Sequence, residues 1–377
     1  MQILSVNKWN HAFFSRFCEL KSELEREKGN FNTETIKDLA DVLDGPYFKT
    51  FKKTCSYAAY LILGEGNDTP CARVICFHDP SKAQEAYFGY LEFRDNSEAI
   101  ALLFESMENF AKEMAVKKIF GPIQANIFIS YRLKVNDSPG FFREQSYTEH
   151  YQRKLQEMGY CEERSWHTHK LLDPSNIPRN LKNNRFYNLG KKNSLRLWFF
   201  FPWRSKVYLK KLYQLFMESY SDMPNYEKID FATFQKLYGP LIYLINPFCS
   251  FLIRKHGEDI GFCVAIFDPT KHLHWHQTRS VKKPNFFYSI CLLLKLVLNR
   301  EKLLIMHIGK SKVSTSASLS LKVYGKIGST LISLIKFFRI KEVYLCHLRE
   351  NSPILKTLPE SERKIHSQYT LFYKIIS

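Results

Sequence analysis

Paired cysteine motifs are absent from this sequence: none of its nine cysteines belongs to a CxxC pair. Scattered cysteines in an odd number exclude a disulfide framework and are typical of a reducing compartment. The stretch MQILSVNKWNHAFF has no basic region followed by an apolar one, so we expect no targeting leader. We therefore expect a cytoplasmic protein.

Long apolar runs are missing as well. A membrane-spanning helix needs about 20 mostly apolar residues in a row, and the longest candidate, residues 285–299, is interrupted by Lys295. That stretch is typical of a buried helix. A hydrophobic content of 45% in 377 residues is enough for the cores of about two domains. The sequence predicts a globular protein, soluble or at most peripheral to a membrane.

Acidic residues are scarce in the second half of the chain. Residues 1–180 contain 23 Lys and Arg against 25 Asp and Glu, whereas residues 181–377 contain 32 against 12. The formal net charge of +18 therefore comes from the second half. Such an asymmetry indicates a polyanionic partner: a nucleotide cofactor, an acidic carrier protein, nucleic acid or an anionic membrane surface. A basic surface that only keeps the protein soluble is the alternative.

What the sequence does contain is an internal repeat. In the first half SYAAYLIL, the turn GEGNDTP and CARVICFHDP follow one another; in the second half SFLIRK, the turn HGED and IGFCVAIFDP do the same. Both copies read as strand, turn, strand and Asp-Pro, and Asp79 and Asp268 lie 189 residues apart. The repeat predicts a duplicated domain.

The elements around each hairpin follow one order: hairpin, strand, helix, strand. In the first half AYFGYLEF is strand-like and a helix begins at Ser97; in the second half KLLIMHIG is the strand and residues 317–338 are the helix. This order predicts a mixed α/β fold. We expect an N-terminal domain over residues 1–173, a linker over 174–194 and a strongly basic C-terminal domain over 195–377.

With this order of elements, the chain resembles the GNAT N-acyltransferases, and in particular a bacterial family of tandem GNAT-like proteins. The matching stretches are FGYLEF, KKIFGPIQANIF, SPGFFREQSYTEHYQRKLQEMGY, GEDIGFCVAIFDP, RENSPIL and QYTLFYKII. The resemblance covers most of the chain. It implies two tandem GNAT-like domains, each with a mixed, mostly antiparallel sheet flanked by helices. It also implies that acetyl-CoA or acyl-CoA is the donor and that no metal is needed.

The resemblance places the donor site at LIMHIGKSKVSTSASLS, residues 304–320. In GNAT proteins a bulged strand leads into a loop of the form Gln/Arg-x-x-Gly-x-Gly/Ala. The N–H groups of that loop and of the following helix N-terminus hold the pyrophosphate of coenzyme A. The residues assigned to donor binding in this way are Ile308, Gly309, Lys310, Lys312, Ser314, Thr315, Ser316, Ser318 and, for the pantetheine arm, Asn351. Asn351 is alternatively a turn residue.

The same stretch departs from the glycine pattern, because no glycine occurs between Gly309 and Gly325. Two interpretations remain open. In one, hydroxyl groups, two lysines and the helix dipole still bind the anion; in the other, β-carbons at the glycine positions obstruct it. The first half is the weaker candidate, because Asp95 and Glu98 would repel an anion there.

Acyl transfer from a thioester to an amine needs a base for the ammonium group, a polarised carbonyl and an acid for the leaving thiolate. The resemblance implies that a backbone N–H near residues 307–309 polarises the carbonyl and that Tyr369 or Tyr373 protonates the thiolate. His307 and Glu350 are the candidate bases. Ordinary packing is the alternative role for the two tyrosines and the histidine.

Two further stretches are chemically distinctive. His272, His274 and His276 alternate as zinc ligands on a strand can, but KHLHWHQTRSVKK reads as a loop without a completing Cys or carboxylate. We therefore predict a basic, aromatic rim there and no metal. Residues 195–206, LRLWFFFPWRSK, mix aromatic and basic side chains. We interpret them as the buried first strand of the second domain rather than a membrane- or base-contacting segment.

These observations favour a cytoplasmic tandem GNAT-like N-acyltransferase, whose second domain takes an acyl thioester from coenzyme A or an acidic acyl carrier protein. The amine acceptor is not indicated. One alternative is a catalytically inactive GNAT scaffold that binds nucleic acid or an anionic membrane through its basic half. Another is a tRNA-dependent aminoacyltransferase, because the peptidoglycan-bridge aminoacyltransferases are also double GNAT proteins; their long helical arm is not visible in this sequence.

Overall fold

The computed structural model describes most of the chain in two compact units. Unit 1 comprises Met1–Ser165 and Tyr369–Ser377, and unit 2 comprises Trp166–Gln368. The residues that are not described are 28–33, 46–52, 65–68, 142–143, 145–148, 175, 178–180, 182, 201–203, 269–301, 313–315, 359, 377 and the side chains of 240 and 243. The apolar stretch 285–299 and the three alternating histidines therefore lie outside the described residues.

Unit 1 is a mixed α/β unit. Its helices are α1 (His11–Glu27), α2 (Ile36–Leu43), α3 (Ser97–Glu113) and α4 (Glu149–Glu157). Its strands are β1 (Gln2–Val6), β2 (Ser56–Leu63), β3 (Pro70–His78), β4 (Glu85–Phe93), β5 (Lys118–Gly121) and β6 (Leu133–Lys134). The first part of β7 (Cys161–Leu171) and the second part of β13 (Arg363–Ile375) belong to the same unit.

The sheet of unit 1 has the strand order β1-β2-β3-β4-β5-β13. Its pairs are antiparallel except β4 and β5, which are parallel and are joined by α3. Leu103, Met107 and Phe110 of α3 are buried against one face of the sheet, and Phe17 of α1 lies beneath Arg73 on the other. Strand β3 is buried along its whole length because helices cover both of its faces.

Unit 2 repeats this plan. Its helices are α5 (Arg185–Lys192), α6 (Ser205–Ser219), α7 (Phe231–Tyr238) and α8 (Ala317–Phe338), and short 3-10 turns cover Pro240–Leu244, Pro353–Thr357 and Glu360–Glu362. Its strands are β8 (Arg196–Phe199), β9 (Phe251–Lys255), β10 (Glu258–Phe267), β11 (Lys302–Lys310) and β12 (Glu342–Arg349), together with parts of β7 and β13. The strand order is β7-β12-β11-β10-β9-β8; among these described pairs β11 and β12 run parallel and the others antiparallel.

The units exchange strands. Residues 166–170 of β7, which follow the helices of unit 1, pair with β12 inside unit 2, with Lys170 opposite Tyr344. The end of β13 pairs with β5 inside unit 1, with Phe372 opposite Gly121. The linear division of the chain at residues 173 and 195 does not include this exchange.

The predicted mixed α/β class, with a mostly antiparallel mixed sheet flanked by helices in each half, is confirmed. Helix α8 has the bounds that the apolar pattern predicts. Part of the stretch expected to be a linker forms helix α5, which packs closely on α8: a β-carbon on Gly190 would lie 1.9 Å from the carbonyl oxygen of Gly325. Gly325 therefore allows α5 and α8 to pack closely where they cross.

Two further findings concern the described helices and cysteines. Of the described helices, none combines the length and the apolar character that a membrane crossing requires. The eight cysteines in the described part of the chain are free thiols.

Candidate functional site

The candidate site lies in unit 2, where the parallel strands β11 and β12 part. Their pairing runs from Lys302 opposite Glu342 to Ile305 opposite Leu345 and ends there. Both strands continue, β11 paired with β10 and β12 paired with β7. Because each strand stays with its outer neighbour, the two inner edges separate beyond this point.

Irregularities in both strands coincide with the parting. In β11 the register against β10 shifts, so that Ile305 and His307 face consecutive residues of β10 and Met306 is the additional bulge residue. In β12 the register against β7 shifts between Leu345 and Leu348, and His347 has a φ of 56°. The backbone N–H of His347 donates to Oγ1 of Thr168 over 3.2 Å. A β-bulge re-aims the strand that contains it, which explains why the strands diverge here.

His307 follows the bulge and forms a pair with a tyrosine. Its Nδ1 lies 2.9 Å from the hydroxyl of Tyr220, the residue that caps the C-terminus of α6. The rings of Phe216 and Tyr238 lie 4.8 and 6.1 Å from its imidazole. Tyr220 was not predicted from the sequence, because no sequence pattern indicates that residues 220 and 307 are in contact. A half-buried histidine held by a phenol has a defined orientation for proton transfer.

The start of the predicted loop is held by α6. The Ser311 hydroxyl, on a buried residue, donates to Oε2 of Glu218, and the backbone N–H of Lys312 donates to the same oxygen over 3.1 Å. The Ser219 hydroxyl donates to the Lys310 carbonyl over 2.6 Å. A carboxylate thus binds donors that a pyrophosphate group would need, and this start of the loop does not fit an anion.

The far end of the loop does fit one. Helix α8 begins after Ser316, whose hydroxyl accepts the backbone N–H of Leu319 over 3.2 Å, and its first turn contains no acidic residue. The N-terminus of a 22-residue helix favours negative charge. Ser318 lies in that first turn, and Ser314 and Thr315 lie outside the described residues. The Lys312 ammonium lies 3.2 Å from the Asp222 carboxylate.

Gly309 is needed for a different reason from the one that a phosphate loop implies. A β-carbon there would lie 2.5 Å from the Phe262 ring and 2.6 Å from the Ser219 hydroxyl. This glycine allows α6 and β10 to pack against the strand. Ile308 pairs with Cys263 of β10 in the same stretch.

The remaining residues predicted for unit 2 follow β12. Glu350 is exposed, and its Oε1 lies 3.8 Å from Nε2 of His167. Asn351 is exposed in the adjacent turn. Arg349 at the end of β12 reaches Met223, with 2.8 Å between Nη2 and Sδ. The partners shown for the two candidate bases differ: His167 lies next to Glu350, and Tyr220 lies next to His307.

The two predicted acid residues belong to unit 1. Tyr369 is buried, pairs with Lys134, and donates its hydroxyl to Glu144. Tyr373 pairs with Phe120 of β5, and the Lys118 ammonium lies 5.0 Å from its ring. The exchange of β13 brings both tyrosines to a unit different from that of His307, Glu350 and the loop.

The described residues contain no group of three or more His, Cys, Asp or Glu side chains that could hold a metal ion.

Solved structures similar to this chain are GNAT proteins. One is a GCN5-related N-acetyltransferase from Sphaerobacter thermophilus, with 10% identity, 99% and 96% of the two chains covered and a TM-score of 0.44. A second is a tandem GNAT protein from the clavulanic acid biosynthesis pathway, with 8% identity, 100% and 98% covered and a TM-score of 0.48. A probable N-acyltransferase from Enterococcus faecalis has 6% identity, 100% and 73% covered and a TM-score of 0.49.

No protein-family model matches the sequence, and no curated protein matches it significantly. The TM-scores lie below 0.5. The fold of this chain is therefore defined by its own strand order and by the α8 crossover between β11 and β12.

Proposed function

We propose that this protein is an N-acyltransferase that takes an acyl group from a thioester of coenzyme A or acyl carrier protein, with the donor held by unit 2. One observation carries the proposal: the parallel strands β11 and β12 part at a bulge that leads into the N-terminus of α8. This arrangement combines an accessible strand edge for the thioester with a positive dipole end for its phosphates. The basic excess of the second half supports an anionic donor.

The residues of unit 2 would divide the chemistry in the following way. The backbone N–H groups next to Met306 donate to the thioester carbonyl, where negative charge develops during attack. His307, oriented by Tyr220, removes a proton from the acceptor amine. The N-terminus of α8 binds the donor phosphates, while Glu218 and Asp222 hold Lys312 at the start of the loop. Coenzyme A supplies the activated acyl group. The roles of Glu350, Asn351, Tyr369 and Tyr373 stay predictions.

A thioester screen with release of free thiol as readout tests the proposal directly. Acetyl-CoA, longer acyl-CoAs and an acyl carrier protein thioester are presented with a panel of amines. We expect thiol release that His307→Gln lowers by about 100-fold, because a positioned base contributes about 10²–10⁴-fold. Tyr220→Phe should lower the rate by less, because the imidazole stays in place but loses the hydrogen bond that orients it. Absence of thiol release with every donor contradicts the enzymatic proposal, and an unchanged rate in Tyr369→Phe/Tyr373→Phe excludes those tyrosines as the acid.

The Glu218 contacts favour a second candidate function, a scaffold that has lost catalysis and binds a polyanion through unit 2. A carboxylate at the start of the loop opposes the donor phosphates. If unit 2 does hold coenzyme A, Glu218→Gln should raise its affinity about fivefold, because removal of one like charge near the surface is worth about 1 kcal/mol. Exposed Glu258→Gln in β10 is the matched control. Calorimetry that shows no coenzyme A binding for either variant at low salt favours the scaffold.

Cytoplasmic localisation is likewise a proposal. The free thiols of the described cysteines support it, because they are typical of a reducing compartment.

A further inference from the structure

Three phenylalanine rings, two exposed and one half-buried, form an apolar surface at the C-terminal end of α8. This phenylalanine patch consists of Phe248, Phe337 and Phe338, with ring centroids 4.8 Å apart for Phe248 and Phe338 and 5.0 Å apart for Phe337 and Phe338. The exposed fraction is 77% for Phe337 and 43% for Phe248. Isolated exposed apolar side chains are ordinary, but adjacent exposed rings form a continuous apolar area of the kind that marks interaction sites.

The patch is fixed to the core of unit 2. Asn246 is buried, and its Oδ1 accepts the backbone N–H groups of Phe248 and Cys249, each over 2.9 Å. The backbone N–H of Asn246 donates to the Ala265 carbonyl of β10 over 2.8 Å. Phe337 and Phe338 lie in the last turn of α8. The structure therefore holds the rings at the surface through hydrogen bonds and a helix end.

Basic residues flank the helical part of the patch in the sequence. Lys336, Arg339 and Lys341 are exposed, flank the two helix phenylalanines in the sequence, and take part in no ion pair with another described residue. Glu342, which follows them in the sequence, is bound to Lys170 with 2.7 Å between Oε1 and Nζ. An occupant of this surface must therefore accept apolar rings and supply negative charge.

We propose that the phenylalanine patch binds the surface of an anionic lipid bilayer. The rings enter the interface between headgroups and acyl chains, and Lys336, Arg339 and Lys341 contact the anionic headgroups, which is the combination that interfacial membrane proteins use. A second copy of the chain is a poorer occupant, because a symmetric contact would bring the same basic residues together. This inference does not depend on the proposed acyl transfer.

Co-sedimentation with vesicles tests the proposal. The full chain should bind vesicles of phosphatidylcholine and phosphatidylserine in equal parts, bind pure phosphatidylcholine weakly, and lose binding as salt is raised. Phe248→Ser/Phe337→Ser should lower the affinity about tenfold or more, because both rings lose their burial in the interface. Leu172→Ser, which removes another exposed apolar side chain of unit 2, should leave binding unchanged.

A variant with fewer lysines separates insertion of the phenylalanine rings from electrostatic attraction of the basic residues to the headgroups. Lys336→Gln/Lys341→Gln should weaken binding to the anionic vesicles and flatten its salt dependence, whereas Lys322→Gln/Lys326→Gln, in the first half of the same helix, should change it less. Absence of binding by the wild-type protein overturns the proposal, as does a double phenylalanine variant that binds like wild type. A concentration-dependent dimer that the phenylalanine variant abolishes would assign the patch to self-association instead. Circular dichroism of each variant checks that the chain is folded.

Discussion

The two units have one topology but treat the corresponding parallel strand pair differently. In unit 1 the chain stays against β4 after the last pair, Tyr87 with Phe120, because the Ile123 N–H donates to the Phe88 carbonyl over 2.7 Å. In unit 2 the strands β11 and β12 part after Ile305 and Leu345. The same fold thus carries a closed strand edge in one copy and a separated one in the other.

The two units also differ in the helix on the other face of the sheet, which is α1 in unit 1 and α6 in unit 2. In unit 1, Lys21 of α1 is buried with Glu25 and Glu92, and the Tyr151 hydroxyl donates to Glu92 over 3.0 Å. In unit 2, α6 presents Phe216 and the neighbouring Tyr220 to His307. Unit 1 pairs the buried Lys21 with two carboxylates, whereas unit 2 places a histidine–tyrosine pair beside the parting strands. The comparison supports a structural role for unit 1 and the donor site in unit 2.

The largest expected effect comes from removal of one buried charge in unit 1. Lys21→Met leaves the carboxylates of Glu25 and Glu92 buried without their cation, which should lower the free energy of unfolding by about 3–5 kcal/mol. Chemical denaturation at pH 7 measures it. Glu23→Gln on the same helix removes a surface ion pair with Arg94 and should cost less than about 1 kcal/mol. Equal effects of the two variants would show that the buried network has no special structural role.

Acid should act on unit 2 through a buried histidine. Burial, together with Arg363 and His167, lowers the pKa of His169 to about 4. Since the unfolded histidine has a higher pKa, the folded state resists protonation, and stability is full above pH 6.5 and falls as the pH drops towards 4. The loss should reach about 3 kcal/mol at about 1.4 kcal/mol per pKa unit.

Chemical denaturation of the full chain at pH 7 and pH 5 measures this dependence of stability on pH. His169→Gln should remove much of it, because glutamine does not titrate and its amide oxygen can accept from Arg363. Exposed His11→Gln in unit 1 is the matched control. The same slope with pH in His169→Gln and wild type would exclude His169 as its source.

A substitution at Gly89 of β4 tests the closed strand edge of unit 1. A β-carbon on Gly89 would lie 2.1 Å from the Ile123 carbonyl oxygen, and a backbone group cannot rotate away as a side chain can. Gly89→Ala should therefore destabilise unit 1 by about 2 kcal/mol, within the range for overpacked sites. Gly257→Ala in unit 2 meets no atom within 4 Å, although its φ of +90° adds backbone strain. Comparison of the two melting curves separates steric closure from strain, and a stable Gly89→Ala contradicts closure by contact.

The smallest expected effect compares the two crossover helices. Asn96 caps α3 and Ser316 caps α8, each accepting a backbone N–H of the first turn over 3.0 and 3.2 Å. Asn96→Ala and Ser316→Ala should each lower the free energy of unfolding by about 1 kcal/mol. If unit 2 holds the donor, only Ser316→Ala should also weaken coenzyme A binding. Weaker binding in Asn96→Ala alone would place the donor in unit 1.

Sequence periodicity predicted local elements well, because they depend on neighbouring residues. The stripe of α8 predicts bounds of 317 and 338, which the structure has, and the apolar run KLLIMHIG predicts a strand that the structure extends by one residue to Lys310. Strand partners could not be predicted in this way. An alternating pattern states which face of a strand is buried but not which strand lies beside it, so the exchange of β7 and β13 has no local signal.

The same reason limits prediction of the candidate site. His307 was singled out by its residue type, yet its contact with Tyr220 joins residues 87 positions apart. Glu218 and Ser311 are separated by 93 positions, and only the packing of α6 against the end of β11 brings them together. Roles assigned through the resemblance to Tyr369 and Tyr373 depend on a strand that the structure places in unit 1.

The exchange of strands also sets an order of events during synthesis. The β13 segment of unit 1 begins at Tyr369, whereas its other elements are complete by Ser165. At 5–20 residues per second, a ribosome needs roughly 10–40 s to cover that interval. Throughout it, strand β5 presents an unpaired edge, which is the kind of surface that chaperones shield and that aggregation exploits. A nascent chain of this protein therefore has a long vulnerable period that a simple tandem of independent domains would avoid.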